Sequence, residues 1–505
     1  LEHQLIFKKK NMKKSILLLP IFFLMLFSCS DAYDIRQDNE VEDPEAFTTI
    51  QHLVSGLNGA YAAYGPDFGG DAIIFNDLFT DNIRKGKSNN GQGSEEYNFL
   101  MQPNSDMPES VWGNRYATIN RINRVLRAYD RLYPNFTAVE KRRADHAKGN
   151  LLALRALCHF DLFQYFTVDY KNAASPSIIK MDFVPASTFD VFPRNTVGEI
   201  TAFIKQDLTD AKALITTAIA PLFPGEQLPA DLAAYNTVMY LRPVAIDFIR
   251  CKLALLEGDY PTAQTMATTL MAAAPLSNRT VYAQMYGVTD APGECIFKLS
   301  RVLRNNQIAS LYYFNYNDNG TPIDPLFYGS IQLYNLYATA DIRKTVIFGG
   351  SNDLGRGELP ITKYMGSNDG DGINDVKLFR ASEVKLILAE CKARNTDFLG
   401  AATDIQQLRA QRITGANPVP TYANLNAALT DILNERRKEF AFEGHRYLDI
   451  KRIGSEINVG INRLADDAFS FSAPTALPAS DYRFTLPIPR SEISANPTIA
   501  QNPNY

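Results

Sequence analysis

The chain has 505 residues, 46% of them hydrophobic and 21% charged, which is enough apolar material for a large packed core and argues against disorder. A formal net charge of −4 leaves no basic stripe to neutralise phosphates, so the composition argues against a nucleic-acid partner and against membrane binding through a polybasic patch.

Met12, Lys13 and Lys14 form a positive start to an apolar run from Ile16 to Phe27. The run is too short to span a bilayer comfortably and reads as a secretory signal over residues 12–28, with residues 1–11 lying upstream of the natural start. It ends in Leu26-Phe27-Ser28-Cys29, which resembles a lipobox, although Phe27 is larger than the residue usual at that place. Cys29 is therefore the expected lipid anchor, because several buried acyl chains hold a domain on a bilayer far better than one. The alternative is an ordinary signal peptide cut nearby, with Cys29 incidental. Residues 29–46 follow as an acidic tether, carrying Asp31, Asp34, Asp38, Glu40, Glu42, Asp43 and Glu45.

From residue 47 onward, apolar residues recur mainly at helical spacing. Val111 to Tyr129 presents Ile119, Ile122, Val125, Leu126 and Tyr129 on one face, whereas Gly149 to Phe166 is apolar nearly all round, as a buried helix is. Thr196 and Glu199 have capping-box spacing ahead of Ile200, Ile204, Leu208, Ala211 and Leu214. Two stretches share a finer pattern. Val244–Leu256 breaks at Gly258-Asp259-Tyr260-Pro261 and resumes over Ala263–Met271; Ala381–Ala393 breaks over Asn395–Gly400 and resumes over Ala401–Gln411. Helix, polar turn, then a small residue opening the next helix is how tetratricopeptide pairs are built, though no clean period runs through the chain. The predicted fold is all-α, one domain over residues 47–505. Irregular segments are predicted at 65–104, 311–337, 348–375 and 455–483, and loops of that length often carry function.

Chemical templates are few. Cys158, Cys251, Cys295 and Cys391 are far apart with no C-x-x-C pair, so neither a zinc site nor a disulfide framework is indicated. There is no H-E-x-x-H, no G-x-S-x-G and no Walker A motif, and His159 falls in the buried-looking helix, where a core role is expected. The Asn368–Asp375 run offers oxygen ligands but breaks the calcium-loop pattern and reads as a turn. No metal and no cofactor are expected.

Three C-terminal segments carry a resemblance. Arg380-Ala-Ser-Glu383 continuing to Ala389-Glu390 matches R-x-x-E-x-x-L-x-x-A-E; Glu435-Arg436-Arg437-Lys438-Glu439-Phe440 through Glu443-Gly444, Arg446, Asp449 and Arg452 matches E-R-R-x-E-F-x-x-E-G-x-R-x-x-D-x-x-R; Leu486-Pro-Ile-Pro with Asn496-Pro and Gln501-Asn-Pro-Asn-Tyr505 matches L-P-I-P…N-P…Q-N-P-x-Y. With weaker matches at Trp112–Asn123, Arg155–Phe166 and Asp341-Ile-Arg343, the chain resembles the SusD-like (RagB/SusD) family of outer-membrane nutrient-binding lipoproteins over most of its length. Thr167 to Ser177 departs from the family pattern. The resemblance implies four tetratricopeptide-like pairs in a right-handed superhelix with a loop-rich ligand face, anchorage at the cell surface of the outer membrane, and a SusC-like TonB-dependent transporter as partner. It implies a glycan-binding protein and not an enzyme; peptide or another non-glycan nutrient on the same fold, or a protein-binding scaffold or adhesin, are the alternatives.

Glu435, Glu439 and Glu443 are spaced four apart and invite a glycosidase reading, but such enzymes need carboxylates converging across a cleft, and ion pairing with residues such as Arg380 is the expected role. Sugar binding needs flat apolar faces beside polar groups. Trp112, the single tryptophan, opens a family helix and is expected to be structural. The densest remaining cluster is Tyr312, Tyr313, Phe314, Asn315 and Tyr316, with Tyr328, Tyr97 and Asn98 as further candidates and Asn89 and Asn90 beside them.

Overall fold

Four of the long helices start where a hydroxyl or carboxylate side chain, that of Thr137, Thr196, Asp259 or Asp397, accepts from a free backbone N–H of the first turn. The computed structural model describes residues 43–66, 70–187, 189–302, 305, 308, 312, 315–316, 322–323, 325–349, 358–467 and 473–505. Residues 1–48 and 49–505 are separate units; the described part of the first is a single helical turn, Asp43–Ala46. The second contains the long helices α1 (Ile50–Pro66), α2 (Asp106–Leu132), α3 (Ala138–Phe166), α4 (Val197–Ile219), α5 (Pro243–Glu257), α6 (Tyr260–Ala273), α7 (Ala381–Arg394), α8 (Phe398–Ala410) and α9 (Leu425–Glu439). Thr196 and Glu199 close the predicted capping box on α4, and Thr137 with Glu140 makes a second one on α3.

Each helix packs on its neighbour in sequence. Helix α1 lies against α2 and α3, α3 against α4, α4 against α5, α5 against α6, α6 against α7, and α7 against both α8 and α9. Such nearest-neighbour stacking of pairs gives a tetratricopeptide-like all-α superhelix with one continuous core. The run Gly149–Phe166 of α3 is buried at every position. Gly149 is there for contact: a Cβ on it would stand 2.7 Å from Ile215 Cγ1 and 3.0 Å from the Ala211 carbonyl of α4.

The two predicted helix breaks share one construction. Gly258 ends α5 in a left-handed conformation (φ 81°), and the Asp259 carboxylate then accepts from Thr262 N at 3.2 Å to start α6. Thr396 takes the same left-handed place after α7 (φ 65°), and Asp397 accepts from Gly400 N at 2.8 Å to start α8.

Several segments expected to be irregular contain short regular pieces. Residues 65–104 include the helix Ala72–Leu78 and strand β1 (Ile83–Lys85); β2 (Cys295–Leu299) follows later, and β1 pairs antiparallel with β3 (Phe327–Gly329). Strand β2 pairs with β4 (Val376–Arg380), which feeds straight into α7. All three residues of β1 are buried, so its sequence has no in–out alternation to reveal it. The Asn368–Asp375 run belongs to a hairpin, Gly366–Ser367 with Gly370–Asp371, tied by Asn374 to both backbone groups of Gly366.

The closing segment is a clasp on the end of α3. Asn502 Nδ2 donates to the carbonyls of Phe166 at 2.9 Å and Leu486 at 2.7 Å, while Lys451 Nζ donates to the Gln164 carbonyl at 2.8 Å, so terminal α3 carbonyls gain partners. Trp112 is structural: its indole N–H donates to Glu492 at 3.0 Å and its ring packs edge-on against Phe166. His159 is in the core, with Nδ1 at 2.8 Å from the Arg155 carbonyl and Nε2 accepting from Met181 N. Cys158, Cys251, Cys295 and Cys391 are buried free thiols.

Candidate functional site

The motif residues of the C-terminal half form buried ion clusters, one of them centred on Glu439. Glu439, at the end of α9, accepts from Arg380 at 2.9 Å, from Arg412 at 3.0 Å and from Arg343 at 3.0 Å. Glu435, one turn earlier, accepts from Arg343 at 2.7 Å and Arg409 at 2.8 Å, and Glu294 bridges Arg380 and Arg412. Burial alone would raise the Glu439 carboxyl; the guanidiniums of Arg412, Arg380 and Arg343 more than offset it and hold it well below the usual carboxylate range. Glu443 does not continue the helical face, because α9 stops at Glu439 and the chain turns through Phe442 (φ 64°) and Gly444 (φ 80°). It still reaches Arg380, at 2.8 Å, and pairs with Lys363. Arg446 holds Asp81 with two bonds of 2.9 and 3.0 Å, Arg436 holds Asp449 at 2.7 Å, and Arg452 pairs with Glu390. The carboxylates that suggested a glycosidase are thus neutralised, closed to solvent and committed to packing.

The aromatic candidates divide. Tyr312, Tyr97 and Tyr328 are interior rings, each 2% exposed or less, where a sugar-facing role had been expected. Tyr312 donates to Asp77 Oδ2 at 3.2 Å and sets its ring edge-on to Phe442. Tyr97 donates to the Asp467 carbonyl at 3.2 Å beneath the Arg463 guanidinium, and Tyr328 lies under Arg84 in β3. A tyrosine is readily buried where its hydroxyl finds a partner, and those of Tyr312 and Tyr97 lie far away in sequence. Asn98 is half-buried and ends the turn Ser94–Tyr97, while Asn89 is buried, bonded to Gln92 and Gly91. Asn315 and Tyr316 form a short strand paired with Pro322 and Ile323. Tyr313, Phe314 and Cys29 lie outside the described residues.

An open cleft of about 420 Å³ supplies what those residues do not. One wall comes from α1 and the chain before α5: Tyr61 and Tyr240 are half-buried and meet edge-to-face at 5.0 Å, and Asn58 lies beside them, accepting from the Tyr240 hydroxyl at 3.4 Å. The facing wall is the chain leaving β2, with Ser300, Arg301 and Asn305, which continues into the Tyr312 segment. Tyr61 is held rigidly, donating to Asn150 at 3.0 Å and accepting from Leu241 N at 3.0 Å. Sequence reading passed over these residues. Tyr61 falls within a helical pattern and Tyr240 stands apart from any aromatic cluster, so nothing local marks them as neighbours.

The comparisons agree with this architecture. A family model described as the SusD family matches residues 359–505, and one described as starch-binding associating with outer membrane matches residues 33–241. Two SusD-like proteins of Formosa agariphila are 21% and 23% identical, over 91% and 98% of this chain and 95% and 100% of their own lengths. A SusD superfamily structure from Bacteroides thetaiotaomicron superposes with a TM-score of 0.71 at 21% identity, covering 90% of this chain and all of its own. A putative sugar binding protein from Bacteroides vulgatus superposes with a TM-score of 0.72 at 22% identity, covering 91% and 99%.

Proposed function

This chain belongs to the SusD-like family, and on that premise we propose that it is a glycan-binding lipoprotein of the outer membrane, anchored through Cys29, that hands its ligand to a SusC-like TonB-dependent transporter. The observation that carries the reading is the cleft walled by Tyr61 and Tyr240 with Asn58 and Asn305 at hand. Half-buried tyrosine rings offer flat apolar faces to sugar C–H groups, and neighbouring amides answer hydroxyls in both directions. Tyr313, Phe314, Asn315 and Tyr316 follow Asn305 in sequence and stay candidate sugar contacts on the chemistry of their side chains alone. The description of the family model that matches residues 33–241 and the name of the sugar binding neighbour support a glycan over peptide. Modest affinity suffices, because anchoring beside the transporter raises the effective concentration of captured ligand.

The test is a panel of neutral and charged polysaccharides in affinity electrophoresis, with calorimetry on any that retards the protein. Tyr240→Ala is expected to weaken binding by roughly tenfold, the scale of one lost stacking and hydrogen-bonding contact. Failure of every glycan in the panel, with peptide binding in its place, would overturn the reading.

A further inference from the structure

Arg301 is the only charged residue among the described lining of the cleft. Its side chain donates to backbone carbonyls, Nη2 to Gly65 at 2.7 Å and Nη1 to Ser300 at 3.2 Å, and its Nε is buried with no hydrogen-bond partner. Asp375 is the carboxylate that acts on it through space, but Oδ1 of that group accepts the Arg301 backbone N–H at 2.8 Å and Oδ2 pairs with Lys298 at 2.5 Å. No ion pair to the Arg301 guanidinium forms among the described residues. Arg343, Arg380 and Arg412 each meet two or more carboxylates, whereas buried Arg463 donates, like Arg301, to backbone carbonyls; what distinguishes Arg301 is its place in the lining of the cleft.

Burial without an anion is costly for a guanidinium, and it pushes Arg301 down to about 10. A protein of net charge −4 that keeps an unneutralised arginine on the wall of an open, aromatic-rimmed cleft has a position waiting for negative charge. We propose that the cleft takes an acidic glycan, whose carboxylate or sulfate group sits against Arg301 while its sugar rings lie along Tyr240 and Tyr61. The guanidinium suits either anion, because each Nη keeps a second N–H beyond the one given to a backbone carbonyl, and the charge strengthens a hydrogen bond from it to a carboxylate or sulfate oxygen. Asn58, Asn305 and Ser300 then serve the hydroxyls. The inference rests on the glycan reading of this cleft and adds the charge class of its ligand.

The full chain is to be run in native gels containing polygalacturonate, dextran sulfate or dextran. The carboxylated and sulfated polymers distinguish the two anion sources, and dextran is the neutral control. Retardation by at least one polyanion and not by dextran is expected, weakening as salt is raised. Arg301→Met should then lose roughly tenfold or more in affinity, the cost of a charge-assisted hydrogen bond. Arg301→Lys keeps the charge without the fork, and as an intermediate it separates lost recognition from lost folding. Two results overturn the inference and leave the glycan reading standing: Arg301→Met binding polyanions like the parent, or a neutral glycan binding with a dependence on Tyr240 and none on Arg301. If none of the three polymers is retained the inference also falls, and the glycan reading falls with it only when the wider panel fails too.

Discussion

Glu439 accepts a hydrogen bond from Arg380 at 2.9 Å with both side chains closed to solvent, so the most recognisable motif of the chain is a fold element. Removing one partner leaves the other's charge buried and unanswered. Glu439→Gln is therefore expected to destabilise by about 3–5 kcal/mol in urea unfolding. A loss under 1 kcal/mol would show that the network contributes little, and residual folded protein should still bind ligand at the distant cleft.

Acid should act through the same family of carboxylates. Burial alone would raise Glu383 and Glu390, but Lys252, His445 and Arg436 beside the first, and Arg452 and Arg394 beside the second, bring each down to about 2 from 4.5. Their folded values lie below their unfolded ones, so their stabilisation is whole above pH 4.5 and is lost as pH falls toward 2. The melting temperature should drop steeply across that window, and Glu390→Gln should flatten the drop while lowering stability at pH 7.

Asp77 has the opposite sign. Burial raises its carboxyl to about 7, against the hydrogen bonds from Asn82 and Tyr312. With its folded value above its unfolded 3.8, the native state holds the extra proton, and this group's contribution declines as pH rises from 3.8 through about 7. Asp77→Asn, which cannot ionise, should remove part of the stability loss between pH 5 and pH 8. An unchanged pH profile would show that Asp77 does not titrate there.

The two helix-pair turns differ in one residue that matters. Gly258 and Thr396 both have positive φ, a conformation that strains a β-branched side chain. Thr396→Gly is expected to raise stability by roughly 0.5–1 kcal/mol after allowing for the greater freedom of glycine when unfolded. A lower melting temperature for the variant would mean that the Thr396 side chain makes up for its own strain.

Much of the helical framework was legible in the residues. The Thr196–Glu199 box, the breaks at Gly258 and before Asp397, and the buried run Gly149–Phe166 all depend on neighbours within one helical turn. The identity of each ion partner was partly legible: Glu439 with Arg380 was expected, but the turn that takes Glu443 off α9 depends on the backbone at Phe442 and Gly444.

By itself, the sequence determined several of the helices, the pairing of helices across short polar turns, and the family, because these rest on local spacing of 3.6 residues and on motif order. Tertiary structure alone decided which tyrosines face outward. Tyr312 is buried by Asp77, 235 positions away, and Tyr97 by Asp467, 370 positions away, whereas Tyr61 and Tyr240 are brought together at the cleft from either side of the three long helices α2, α3 and α4. Local pattern records what a residue is suited to touch; what covers it is set by contacts between distant parts of the chain.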